Sequence, residues 1–140
     1  MTGYLLDTNV VSELRKGERA DPSVRAWFAS APEESIFQSV LTIGELRRGI
    51  ENIRRRDPDG AADLDAWVER LIEFHGDRIV GIDRAIAQEW GRLNVPDPRP
   101  AIDSLLAATA LVHGLALVTR NVDDVKGIDV DVVDPFNPAG

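Results

Sequence analysis

The chain has 140 residues, no cysteine and a formal net charge of −8, from 24 acidic and 16 basic residues. Its 44% hydrophobic and 29% charged content is that of a globular protein and excludes a disordered chain, and the length fits a single domain over residues 1–140 with a real core. No apolar run approaches the roughly 18 residues of a membrane span, and residues 1–20 lack the layout of a signal peptide. Without cysteine there are no disulfides, thiolate metal sites or thiol nucleophile, and a cytoplasmic location is expected.

The predicted elements alternate along the chain. YLLD (4–7) is a short apolar strand, followed by a helix over 9–17 with Asn9 as its N-cap and Gly17 as its stop. A second helix spans 21–31 with Pro22 in its first turn, and SIFQSV (35–40) is a second strand. TIGELRRGIENI (42–53) sets Ile43, Leu46, Ile50 and Ile53 on one stripe, as an amphipathic helix does. RRRDPDG reads as a break before a helix over 61–76, then a strand over 78–82 and a helix over 83–94 capped by Asp83. A proline-rich turn (95–100) leads into an Ala/Leu-rich helix over 101–114, a buried strand over 115–119, a last strand over 129–133 and a terminal tail. There is no internal repeat. Strands alternating with helices predict a mainly parallel sheet covered on both faces, with its site at the carboxyl ends of the strands.

Acids recur at that edge. Asp7 closes the first strand, Glu45 falls in the predicted first turn after the second, and Asp103 lies in the first turn of the Ala/Leu-rich helix. Asn121, Asp123 and Asp124 follow the strand over 115–119. Taken singly, each has an ordinary reading as a cap, a dipole-favouring residue or a solvated acid. Together on one edge they would repel one another unless a cation held them. Hard oxygen ligands without Cys or His suit Mg²⁺ or Mn²⁺ rather than Zn²⁺, and such an ion supports phosphodiester hydrolysis.

At these residues the sequence resembles the PIN-domain family, and within it the VapC-type toxin ribonucleases of toxin–antitoxin pairs. The matching pieces are LLDTNVVSEL, TIGELRRGI and DSLLAATALVHGLALVTRNVDDV followed by VVDPFNP, in that order and spanning nearly the whole chain. The resemblance implies a five-stranded parallel α/β/α sandwich and a Mg²⁺- or Mn²⁺-dependent endoribonuclease. It also implies a homodimer and a VapB-type antitoxin that occludes the site. It carries the family's acids onto Asp7, Glu45 and Asp103 as metal-binding residues. Family members often have an Asp directly after the TR pair; here that residue is Asn121, with Asp124 three positions on, and either is a candidate for the fourth place. Thr8, Ser12 and Thr119 resemble the small polar residues that line the family's site.

Charge is uneven. Residues 47–56 carry five arginines against one acid, and residues 123–134 carry five acids against one lysine. Arg47, Arg48, Arg54, Arg55, Arg56 and Arg120 are candidates for holding RNA. His75 and His113, each before a glycine at a predicted helix end, are read as structural, with imidazolium suited to the dipole. Trp27, Trp67 and Trp90 are read as packing or dimer residues. A phosphatase of the haloacid-dehalogenase type would want a second Asp where Asn9 stands, which disfavours a covalent phosphoryl intermediate. A catalytically weak binding module of the same fold is the remaining alternative.

Overall fold

The computed structural model describes residues 3–138. Its elements are β1 (Gly3–Leu6), α1 (Thr8–Leu14), α2 (Pro22–Ser30), β2 (Ile36–Ser39), α3 (Val40–Arg54), α4 (Pro58–His75), β3 (Ile79–Val80), α5 (Arg84–Leu93), α6 (Ala101–His113), β4 (Leu115–Val118) and β5 (Val132–Val133). All neighbouring strands pair in parallel, in the order β3-β2-β1-β4-β5. The tail after β5 is described as far as Pro138; its last two residues lie outside the described part.

The strand side chains decide the layers, because alternate residues face opposite sides of a sheet. Leu6, Ile36 and Val118 enter one apolar cluster with Val10 and Val11 of α1, Val24 of α2, Leu46 and Ile50 of α3 and Val68 of α4. Leu5 and Leu117 enter another with Leu106, Ala107 and Ala110 of α6, joined by Leu93 of α5. The sheet therefore lies between α1–α4 on one face and α5–α6 on the other, the expected α/β/α sandwich. The α6 helix is apolar nearly all round because it is covered on both sides: Ser104 in it accepts a hydrogen bond from Trp90 Nε1 of α5 at 3.0 Å. Trp27 meets Tyr4 edge to face with ring centroids 5.1 Å apart, and Trp67 packs on the first cluster, so the tryptophans are packing residues.

The strand order places the site. β1 leads to β2 on one side and pairs with β4 on the other, so chain direction across the sheet reverses between β1 and β4. At such a switch point the connections leave toward opposite faces and a crevice opens beyond the carboxyl ends of both strands.

Four local expectations need correction. The first helix starts at Thr8, and Asp7, not Asn9, is its cap, with extended backbone (φ −73°, ψ 157°). Asp7 can serve because its carbonyl accepts the N–H groups of Val10 and Val11 at 3.0 and 3.2 Å, while Asn9 is already helical. The α3 helix begins directly after β2, where Ser39 Oγ accepts the Leu41 N–H at 3.0 Å, so Glu45 falls in its second turn rather than its first. DPDG is a helix start rather than a break: Asp57 Oδ1 accepts the Gly60 N–H at 3.0 Å and Pro58 occupies the first turn of α4. His75 is buried, its Nδ1 sits 3.0 Å from the Leu71 carbonyl oxygen, and desolvation lowers its pKa, so the ring is held neutral rather than as imidazolium.

Candidate active site

Asp7 follows β1 and Thr119 follows β4, on the two strands that flank the switch point. The Asp7 N–H continues the ladder by donating to the Val118 carbonyl at 2.8 Å, which fixes the residue before its side chain is considered. The carboxylate is 5% exposed. Its Oδ1 accepts the Thr8 N–H at 2.6 Å, and its Oδ2 accepts the Thr119 hydroxyl at 2.7 Å and the Asn9 amide at 3.4 Å. The same Thr119 oxygen accepts the Asn121 N–H at 2.9 Å, and Asn9 Oδ1 accepts the Arg120 N–H at 3.3 Å. Thr119 and Asn9 thus tie the start of α1 to the loop after β4.

Glu45 reaches the crevice from α3. Thr8 Oγ1 donates to its Oε1 and lies 3.4 Å from the hydroxyl of Thr42, which is fully buried one helical turn earlier. Asp103 arrives from the first turn of α6 on the other face of the sheet. Asp7, Glu45, Asp103 and Asn121 line one cleft of about 370 Å³ together with Thr8, Asn9, Ser12 and Ile102. Asp124 stands behind this lining, in a 3-10 turn over Val122–Val125, close enough to act on both Asp7 and Asp103. The sequence-predicted set therefore converges, from both layers of helices, and Asp123 is exposed and outside it.

The electrostatics are those of like charges held together. Burial pushes the Asp7 pKa up, repulsion from Glu45 and Asp124 adds to it, and the bonds from Thr119 and Thr8 oppose it. Burial, then repulsion from Asp7 and Asp124, raises Asp103 to about 6, while the neighbouring Asn121 amide acts the other way. Larger surface hollows of about 700 and 480 Å³ lie beside β5 and along α5, but neither is lined by a buried carboxylate.

A divalent cation fits this donor set. The donors are carboxylate, amide and hydroxyl oxygens, and two of the acids are strained by charge that a cation would relieve. Among the described residues no three acidic, imidazole or thiol side chains stand close enough to enclose an ion by themselves. Mg²⁺ keeps several of its waters, so one or two of these carboxylates would bind it directly and the others through water.

The arginine-rich segment is different from its expected role. Arg47 and Arg54 both bind Asp65 of α4, Arg54 at 2.7 Å, and both also reach Glu51. These arginines stitch α3 to α4, because Asp65 faces them across the helix hairpin while Glu51 braces them from within α3. They are not a free basic face, though Arg48, Arg55 and Arg56 remain exposed. Sequence reading missed Thr42 and gave Asn9 only the capping role. The available signals were spacing: Thr42 lies three residues before Glu45, and Asn9 two after Asp7, on the turn that faces the crevice.

A family model described as the PIN domain matches residues 4–129. The chain belongs to the PIN-domain family. Among its relatives, VapC ribonuclease Y4jK of Sinorhizobium fredii is 31% identical over 143 residues, covering 96% of this chain and 99% of that protein. Toxin FitB of Neisseria gonorrhoeae is 27% identical, covering 95% and 98% of the two chains. The solved FitAcB structure from Neisseria gonorrhoeae superposes with a TM-score of 0.86 at 28% identity, over 95% of this chain and 98% of that one. The DNA-bound VapBC structure from Salmonella typhimurium shares the fold, with a TM-score of 0.77 at 23% identity over 96% and 99% of the chains.

Proposed function

We propose that this protein is the toxin of a type II toxin–antitoxin pair, a metal-dependent endoribonuclease acting in the cytoplasm as a homodimer and inhibited by a cognate VapB-type antitoxin. The observation that carries the reading is the convergence of Asp7, Glu45 and Asp103 on one cleft at the switch point of the sheet, with Asp124 beside them. Similarity to a VapC ribonuclease along 99% of that protein's length supports the activity, and likeness to Toxin FitB and to the FitAcB structure supports the toxin role and a partner.

Asp7, Asp103 and Glu45 are the residues that would hold Mg²⁺, with Mn²⁺ as a substitute. Such an ion supplies a water of lowered pKa and neutralises charge developing on a phosphodiester. The chain's own groups prepare the site for it. Thr119 and the Thr8 N–H fix the two oxygens of Asp7 separately, so the carboxylate cannot turn. Thr8 holds Glu45 in the same way. With a pKa of about 6, Asp103 retains part of its proton near neutrality, and cation and proton compete for it, so binding strengthens as pH rises through that value. Asp124, whose charge acts on Asp7 and Asp103, and Asn121, whose amide lowers the Asp103 pKa, are the two candidates for the fourth place.

The test is cleavage of total RNA with and without Mg²⁺, with mapping of the new ends. The native chain cuts only with metal. Asp7→Asn loses at least about a hundredfold in rate, the scale on which one charge-stabilising group acts, while its circular dichroism spectrum is retained. Undiminished cleavage by Asp7→Asn and Asp103→Asn would show the chemistry to be assigned to the wrong groups.

A further inference from the structure

The residues lining the cleft include acids, amides and hydroxyls but no lysine or arginine. A phosphodiester chain brought to it carries charge of the same sign as Asp7, Glu45 and Asp103. A cation held by these acids would neutralise charge at the phosphate being cut. The neighbouring phosphates need positive charge from the protein within the screening length of about 8 Å. Arg47 and Arg54 are committed to Asp65 and Glu51.

Arg120 is placed differently. Its backbone lies between Thr119 and Asn121, both site residues, and its N–H is held by Asn9 Oδ1 at 3.3 Å. Its guanidinium carbon stands 4.5 Å from the ring centroid of Phe136. That ring packs on the apolar cluster of the α1–α4 face, so the platform is anchored. Arg120 forms no ion pair among the described residues. Glu13, the acid whose carboxyl feels it, is already bound by Lys16 and by the Asp21 N–H. A guanidinium held over an aromatic face by its carbon keeps its edge N–H donors available in its own plane, and two of them can grip a phosphate with parallel bonds.

We infer that Arg120, held in advance on Phe136, binds the RNA phosphate next to the one that is cut. The inference rests on the ribonuclease reading and adds the contact that brings substrate to an acidic cleft. Stacking lowers the conformational entropy that a free arginine loses on binding, so Phe136 acts through Arg120 as a positioning residue.

The experiment is steady-state cleavage of a fluorescent single-stranded RNA by the full chain over a series of salt concentrations, with melting curves for each variant. Arg120→Ala raises KM about tenfold, keeps kcat within about twofold, and flattens the dependence of log(kcat/KM) on log[salt] by about 0.7, the share of one single-strand phosphate. Arg120→Lys keeps the slope and raises KM a few-fold, since charge is kept and the planar fork is lost. Phe136→Leu raises KM about threefold with the slope unchanged. If Arg120→Ala matches the native KM and slope, or only lowers the melting temperature, Arg120 is a structural tether and the inference falls. It falls equally if Arg120→Ala weakens antitoxin binding alone. Should Arg120→Ala not fold, the Arg120→Lys and Phe136→Leu pair carries the test. Failure of the native chain to cut any RNA would instead overturn the ribonuclease reading before a variant is compared.

Discussion

Two charged regions of this molecule follow opposite rules. Between α3 and α4, Arg47 and Arg54 face Glu51 and Asp65, opposite signs in contact at the surface. At the switch point, Asp7, Glu45, Asp103 and Asp124 face one another with no basic side chain among the residues lining the cleft. The first arrangement is complete in itself and lowers the Glu51 and Asp65 pKa values through their bonds to arginine. In the second, burial and like charge raise the pKa values of Asp7 and Asp103 at a cost in stability, and it persists because the sheet brings the strand ends together regardless. A cluster that the fold holds against its own electrostatics is where a ligand belongs; a cluster that satisfies itself is scaffold.

That contrast can be sharpened by substitutions in each region. The largest effect after the loss of Asp7 is expected at Thr119. Thr119→Val removes the hydroxyl that orients Asp7 and leaves the Asn121 N–H without its partner. Activity falls by about 10–100-fold, as for other groups that orient a metal ligand, and kcat measured at saturating metal and RNA checks it. An effect under about twofold would mean that Asp7 is held by its backbone alone.

The next effect is one of stability and has a definite sign. Asp103 has a folded-state pKa of about 6 against an ordinary 3.8, so deprotonating it costs the folded state more than the unfolded one. Without metal, stability is therefore lost as pH rises from about 4 through 6. Asp103→Asn removes that loss and raises the melting temperature at pH 7.5 by roughly 3 °C, taking the burden as about 1 kcal/mol after solvent screening. The gain shrinks as pH falls toward 4. A melting series in chelator measures it, and a gain independent of pH would point to packing instead.

The smallest effect belongs to the hairpin. Asp65→Asn leaves RNA cleavage within about twofold of native, since the pairs it breaks are partly solvent-exposed and lie outside the cleft lining. It lowers the melting temperature slightly, and less so in high salt. A large loss of cleavage on this substitution would break the division between scaffold and site.

Much of this was legible in the sequence. The alternation of strands and helices implied the sandwich, and the rule that sites open at strand carboxyl ends singled out Asp7, Glu45 and Asp103 from residue order alone. Pairing across helices was not legible: nothing in RRGIENIRRR shows that Asp65, eleven residues beyond Arg54, returns to neutralise it. The cap was misplaced for a related reason. Asn9 and Asp7 are both good capping residues, and only the ladder bond from the Asp7 N–H to Val118 decides which one remains extended. The approach of Asp124 to Asp103 depends on the 3-10 turn over Val122–Val125. Short turns of that kind leave little trace in residue spacing.

If the crowded acids exist to bind a divalent cation, calorimetric titration of the native chain and Asp7→Asn with Mn²⁺ at pH 7.5 will show it. Saturable binding to the native chain with release of protons is expected, and no measurable binding to Asp7→Asn. Equal Mn²⁺ binding by the two proteins, or none by the native chain, would contradict that role for the acids.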